Sequence, residues 1–207
     1  MKMTKGAKLA IIAIIATTVI GIASLTVYIV QSRQQLPVLG EPGHHAGSFA
    51  FMNQDGRTLT EKDVAGKVTV VEYFFTTCPG ICKQMNRNLD RVYKEFRNNP
   101  DFMILSHTVD PEMDSVPVLH AYAATIDALG GNWQFLTGNK DTLYRMAREE
   151  YLLSVEDSGK KGTEEDFIHT QYVCLVDGER RLRGFYDATD SASVGKMIED
   201  AKILISD

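Results

Sequence analysis

The sequence has 207 residues, 44% of them hydrophobic, 24% charged and 9% aromatic, with 16 glycines and 6 prolines. That balance belongs to a globular protein and excludes collagen-like, low-complexity and wholly disordered classes. Net charge is −5, but Lys2, Lys5, Lys8 and Arg33 are the only charged residues before Glu41, which leaves 18 basic and 27 acidic groups, or −9, in residues 34–207; so acidic a domain has no general attraction for nucleic-acid phosphates.

In chain order, a cationic tail (1–8) precedes LAIIAIIATTVIGIASLTVYIV, which carries no charge over residues 9–30. As a helix this stretch spans about 33 Å, enough for a hydrocarbon core of roughly 30 Å. It is longer than the apolar region of a cleaved signal peptide and has no small-residue cleavage site behind it, so it reads as a transmembrane anchor. Three lysines before the span against a lone Arg33 after it keep the N-terminus cytoplasmic. With no Arg-rich transit peptide, the setting expected is a bacterial inner membrane, crossed once, with the C-terminal domain in the periplasm.

Residues 31–47, rich in Pro and Gly, read as an extended linker, and His44 and His45 within it as solvated. One domain (48–207) follows, large enough for a proper core. Residues 49–53 alternate, and Asn53-Gln54-Asp55-Gly56 is a hairpin turn signal. VTVVEYFF (68–75) suits a buried central strand. Met85, Leu89, Val92 and Phe96 recur at helical spacing in a helix over about 81–98. A strand at 102–109, a helix at 115–129, a short strand at 133–136 and a helix opening at Asn139 come next. The latter carries Leu143, Met146 and Ala147 on its inner face. A polar loop (156–166), a strand (171–177), a turn at Asp177-Gly178 into a strand (182–186) and an amphipathic helix (191–205) complete an α/β sandwich with a parallel component.

Three cysteines are too few for a disulfide scaffold, but two lie four residues apart in Thr76-Thr77-Cys78-Pro79-Gly80-Ile81-Cys82. This segment joins the carboxyl end of a strand to the amino end of a helix, where open α/β sheets place reactive groups. The helix terminus favours thiolate over thiol, and Lys83 adds a cation. Pro and Gly between the thiols at an exposed helix start argue against two cysteines that merely pack a core. A thioredoxin-type exchanger spaces its thiols by two residues; three leave room for an ion, and thiolates select soft metals such as Cu(I). Two thiolates leave that ion under-coordinated. His169 is the candidate third ligand, since it follows the polar loop and opens the apolar segment 172–176. A lone histidine at a strand start is as a rule structural or solvated, so the residues alone leave its role open. His107 within a strand and His120 within a helix read as packing or surface residues, and Cys174 as a buried free thiol.

YFFTTCPGICKQM, DPEMDSVPVL, the region 133–137 and His169 before an apolar strand together resemble the SCO/SenC family, in the same order over nearly the whole exported domain. The resemblance implies a thioredoxin-like sandwich with a central mixed sheet, preceded by one transmembrane helix. It also implies one copper ion held by Cys78, Cys82 and His169. The implied role is that of a metallochaperone assisting assembly of the dinuclear copper site of cytochrome c oxidase subunit II, by copper delivery or by thiol reduction, with a thiol-reducing partner. The copper is cargo, so no turnover chemistry is required. The alternative is a periplasmic thiol–disulfide oxidoreductase in which Cys78 attacks and Cys82 resolves. Gly80, Lys83 and the Met113-Asp114-Ser115-Val116-Pro117 stretch depart from the family's usual pattern, and none of these changes removes a ligand.

Overall fold

A computed structural model describes residues 5–34, 36–78, 80–153 and 170–206. The chain divides into two compact units, Met1–Leu36 and Pro37–Asp207. The first is a helix, α1 (Lys5–Gln34). Its hydroxyls are satisfied internally: Thr18 Oγ1 donates to the Ile14 carbonyl at 2.6 Å and Thr26 Oγ1 to that of Ile22 at 2.8 Å. Ile12, Ile14, Ile20 and Ile22 are each more than 60% exposed. Among the described residues no helix is long and apolar enough to cross a membrane, and the longest unbroken run of described side chains in α1 is 14–26.

The second unit is built on a seven-stranded sheet of order β2-β1-β5-β4-β3-β6-β7. Strand β1 (Ala50–Asn53) turns back into β2 (Thr58–Thr60). The Asn53 side chain accepts from the Asp55 and Arg57 amides, and Gly56 takes the φ of +73° that closes the turn. A one-turn helix, α2 (Glu61–Val64), starts on a capping box between Thr60 and Asp63. Strand β3 (Val68–Phe74) is buried along its whole length, as its unbroken β-branched and aromatic run requires. It pairs in parallel with β4 (Phe102–Thr108), which pairs in parallel with β5 (Trp133–Thr137). Strand β6 (Tyr172–Val176) runs antiparallel to β3, and β7 (Leu182–Asp187) antiparallel to β6. This mixed sheet is the thioredoxin-like arrangement expected.

Helices α3 (Ile81–Phe96) and α6 (Ser191–Ser206) pack together and against the sheet. From α3, Met85, Leu89, Val92 and Phe96 are buried, the stripe its period implied. Helix α4 (Val116–Thr125) stops four residues before 129. Asp127 adopts φ +55° and the Ala128 amide donates back to the Ala123 carbonyl at 3.0 Å, a left-handed C-terminal closure made here without glycine. On the other face of the sheet, Phe51, Val71, Tyr73, Leu105, Leu136 and Cys174 form one cluster with Leu143, Met146 and Ala147. These last belong to α5 (Lys140–Arg145), capped by Asn139 as its sequence indicated, and to the π-helical turn that follows it.

Residues 37–47 differ from the free linker expected. The Leu39 amide donates to the Leu182 carbonyl at 2.8 Å, the Ala46 amide to that of Arg180 at 2.9 Å, and the Arg183 guanidinium to that of Pro37 at 3.0 Å. His44 meets the Glu150 carbonyl at 2.9 Å and is half-buried, whereas His45, 3.1 Å from the Glu179 carbonyl, stays exposed as expected. The physical reason is the edge strand β7, whose unpaired backbone groups offer this segment partners.

Candidate metal centre

Strand β3 delivers the chain into Thr76 and Thr77, then Cys78, and α3 begins three residues later, behind Gly80. The Cys78 amide donates to the Phe75 carbonyl at 3.2 Å, which turns the loop. That loop is clamped from outside. Asp114, 1% exposed, accepts the Thr76 amide at 3.2 Å, the Thr76 hydroxyl, and the Thr108 hydroxyl at 2.5 Å. The Asp110–Asp114 segment folds back on itself to aim this carboxylate, with the Asp114 amide on the Asp110 carbonyl at 2.8 Å. Asp114 therefore ties the ends of β3 and β4 together directly beneath the thiol loop.

Cys78 and Cys82 are both free thiols, and each is 4% exposed. The two thiols are thus buried, while Gly80, Lys83 and Gln84 around them leave the helix start itself exposed, as expected from sequence. The neighbouring α3 residues Gln84 and Asn88 fasten this helix to the turn after β7, donating to the Thr189 and Ala188 carbonyls at 2.9 and 2.8 Å. The Cys82 amide donates to Cys78 Sγ at 3.5 Å, so the two residues are in contact. Burial acts to raise the Cys78 pKa. Hydrogen bonds from the Cys82 thiol and from the Cys82, Gly80 and Ile81 amides outweigh it, and the net shift is downward. Those amides are the unpaired donors of the helix start, aimed at sulfur. Cys82 goes the other way: burial, the hydrogen bond to Cys78 and the nearby charges of Cys78 and Glu72 push its thiol up. Of the pair, Cys78 is therefore the thiol that ionises more readily and Cys82 the one that holds its proton more tightly.

His169 and the loop 156–166 lie outside the described residues, as does Pro79. The description resumes at Thr170, whose hydroxyl accepts the Tyr172 amide at 3.1 Å. Because β6 runs antiparallel to β3, with Val71 opposite Cys174, it begins at the end of the sheet where β3 runs into Cys78. Among the described residues no group of three His, Cys, Asp or Glu side chains is arranged to hold a metal ion. His107 is fully buried among Phe49, Phe51, Tyr73 and Tyr151, and burial lowers its pKa to about 3. His120 lies at the surface, 3.5 Å from Asp55. Cys174 is wholly buried in β6, and burial pushes its thiol up. His107, His120 and Cys174 therefore stand in packing or at the surface, where the sequence reading put them.

One residue the sequence reading passed over is Glu72, the lone acid in β3. It is fully buried, accepts the Ser106 hydroxyl, and leaves Oε2 without a partner among the described residues. Ser106 in turn accepts Trp133 Nε1–H at 2.7 Å. Burial, opposed by the Ser106 hydrogen bond, raises the Glu72 pKa to about 7. The native state therefore holds a proton between pH 4.5 and 7 that the unfolded chain releases, and stability falls as pH rises through that window. Glu72→Gln removes this dependence. Urea unfolding is expected to show the variant gaining on the parent by about 3 kcal/mol between pH 4.5 and pH 8. A gap that stays constant with pH would contradict a protonated Glu72.

Comparison with known proteins agrees with this geometry. The family model described as SCO1/SenC matches residues 39–206. The SCO1 protein homolog of Bacillus subtilis (strain 168) is 29% identical over 156 residues, 74% of this chain and 79% of its own length. The structure of BsSco, described as a member of the Sco family of cytochrome c oxidase assembly proteins, superposes with a TM-score of 0.69. It is 26% identical and covers 84% of this chain and 98% of its own. Copper-bound yeast Sco1 superposes with a TM-score of 0.58 at 25% identity, covering 77% of this chain and 89% of its own.

Proposed function

Because the chain belongs to the SCO1/SenC family, we propose that it is a membrane-anchored copper metallochaperone that assists assembly of the dinuclear copper site of cytochrome c oxidase. The observation that carries the reading is the contact between Cys78 and Cys82 at the start of α3, with helix amides aimed at Cys78 sulfur. Such a pair offers soft donors to Cu(I). In this reading His169 completes the ligand set, one residue before the described start of the segment that leads into β6. Its imidazole lets the same site hold Cu(II). Copper passes by ligand exchange: each thiolate released here is replaced on the ion by a thiolate of the acceptor, with no change in oxidation state.

The anchor belongs to the same reading. Residues 9–30 span a bacterial inner membrane once, residues 1–8 stay in the cytoplasm, and the domain stands in the periplasm. Its support is the uncharged length of the segment, the lysines before it and the exposed isoleucines of α1, which water alone does not cover well.

One observation favours a second reading. A lowered pKa at Cys78 beside a raised one at Cys82 is the division of labour of a dithiol exchanger. There, Cys78 thiolate attacks a partner disulfide and expels one partner thiolate. Cys82 then attacks the mixed disulfide, which leaves Cys78–Cys82 oxidised and the partner fully reduced. Such chemistry has no use for His169. The test is a copper titration of the reduced full chain in detergent beside its His169→Ala variant. The parent is expected to bind one copper per chain with a Cu(II)–thiolate absorption band. The variant is expected to bind at least about tenfold more weakly, with that band lost or moved. An unchanged affinity and spectrum would remove His169 from the site.

A further inference from the structure

Next to the thiols, α3 bears Lys83, Arg87, Asp90, Lys94 and Arg97, at intervals of four, three, four and three residues. That spacing puts all five on one helix face. They form one wall of a groove of about 820 Å³ between α3 and the C-terminal end of α4. Asp90 is engaged by Lys94 at 2.6 Å, while Lys83, Arg87 and Arg97 have no ion-pair partner among the described residues. Asp127 on the opposite wall is the groove's other carboxylate. A domain of net charge −9 thus concentrates unpaired cations on this face. At the floor, Asn86 is 5% exposed; its amide donates to Tyr122 Oη at 2.5 Å, and its carbonyl oxygen has no donor among the described residues. One end of the groove lies next to the thiol pair in the chain, for Lys83, which lines it, directly follows Cys82.

We propose that this groove docks an extended, carboxylate-bearing segment of the protein that exchanges copper or electrons with Cys78 and Cys82. The inference rests on the function proposed above and adds the surface by which the partner is held. From Lys83 to Arg97 the wall is about 21 Å long, room for about six extended residues. Carboxylates on every second residue of such a segment recur at about 6.7 Å, close to the rise of about 6 Å between Lys83 and Arg87. Its main-chain N–H groups are the donor type that Asn86 lacks. A lipid surface fits less well, because the cations line a concavity rather than a prominence.

The test uses the reduced full chain in neutral detergent and a fluorescein-labelled peptide, Gly-Asp-Ser-Asp-Ser-Glu-Gly, read by anisotropy in low salt. Saturable binding is expected. It should weaken at least about tenfold in the Arg87→Glu, Arg97→Glu double variant and by about threefold in Arg87→Gln alone, which keeps the reading testable if the reversal disturbs folding. An Arg57→Glu, Lys62→Glu control of equal charge change, in the β1–β2 turn and α2 and outside the groove lining, should bind as the parent does. Absence of saturable binding, equal weakening by the control, or displacement of the peptide by phosphatidylglycerol vesicles would overturn the proposal. Copper content is read on the same samples. Copper bound without peptide removes the groove alone; peptide bound without copper removes the metal site alone.

Discussion

Cys78→Ser and Cys82→Ser are each expected to lower copper affinity by more than about a hundredfold, with little change in thermal stability. Loss of an outer partner of a metal ligand already costs about 10- to 100-fold in affinity, and removal of a ligand itself exceeds that. A serine hydroxyl is a hard donor that keeps its proton at neutral pH, so it offers Cu(I) neither charge nor polarisability. The change in volume is small, and a hydroxyl at position 78 still meets the amides of Gly80, Ile81 and Cys82 that now converge on sulfur. Cys174→Ser serves as the contrast. That thiol is wholly buried in β6 and belongs to the opposite-face cluster with Val71 and Tyr73, so copper affinity should stay at the parent value while stability falls. Competition titration against a Cu(I) chelator, paired with a thermal melt, reads both quantities. Parent-like affinity in either of the first two variants would remove that sulfur from the site.

Asp114→Ala is expected to destabilise the domain by about 3 kcal/mol and to weaken copper binding by about tenfold. The carboxylate takes three donors, the Thr76 amide, the Thr76 hydroxyl and the Thr108 hydroxyl, in a place that water does not enter. Truncation strands all three, and a buried donor left unpaired costs about 1–3 kcal/mol, with the sum reduced because relaxation is shared. The binding effect follows from position, since Thr76 lies two residues before Cys78 and loses its hold on the end of β4. Asp114→Asn keeps acceptor oxygen at the site and should recover about half of both losses. Stability lost with copper affinity intact would make Asp114 a structural tie without a role in placing the thiols.

These two residues show what the sequence discloses and what it withholds. The thiol pair was legible because its signal is local: an apolar strand, a loop with Pro and Gly, and a helix period that fixes where the loop must sit. Strand β3, the stripe on α3 and the Asn139 cap were legible for the same reason. Asp114 reaches back 38 residues to Thr76, and Glu72 finds Ser106 on the neighbouring strand β4, which Trp133 joins from β5 beyond it. Neither partnership leaves a pattern at short range, although a single acid inside VTVVEYFF is an anomaly that could have marked Glu72. Burial of the thiols was missed because a loop's own sequence does not report what packs on it; even α3 is fastened by a turn about a hundred residues later. The docking of 37–47 was missed because Pro and Gly content reports local stiffness and says nothing of a distant strand edge. His169 is a candidate from its place after the polar loop and a ligand by family resemblance, and it lies outside the described residues.

The most direct test mixes the reduced, copper-loaded full chain with the apo copper-binding domain of cytochrome c oxidase subunit II and follows metal and thiols together. Delivery predicts that copper appears in the acceptor while Cys78 and Cys82 remain reduced and alkylatable. Formation of a Cys78–Cys82 disulfide, with acceptor thiols gained and no copper transferred, would contradict the account and establish the oxidoreductase in its place.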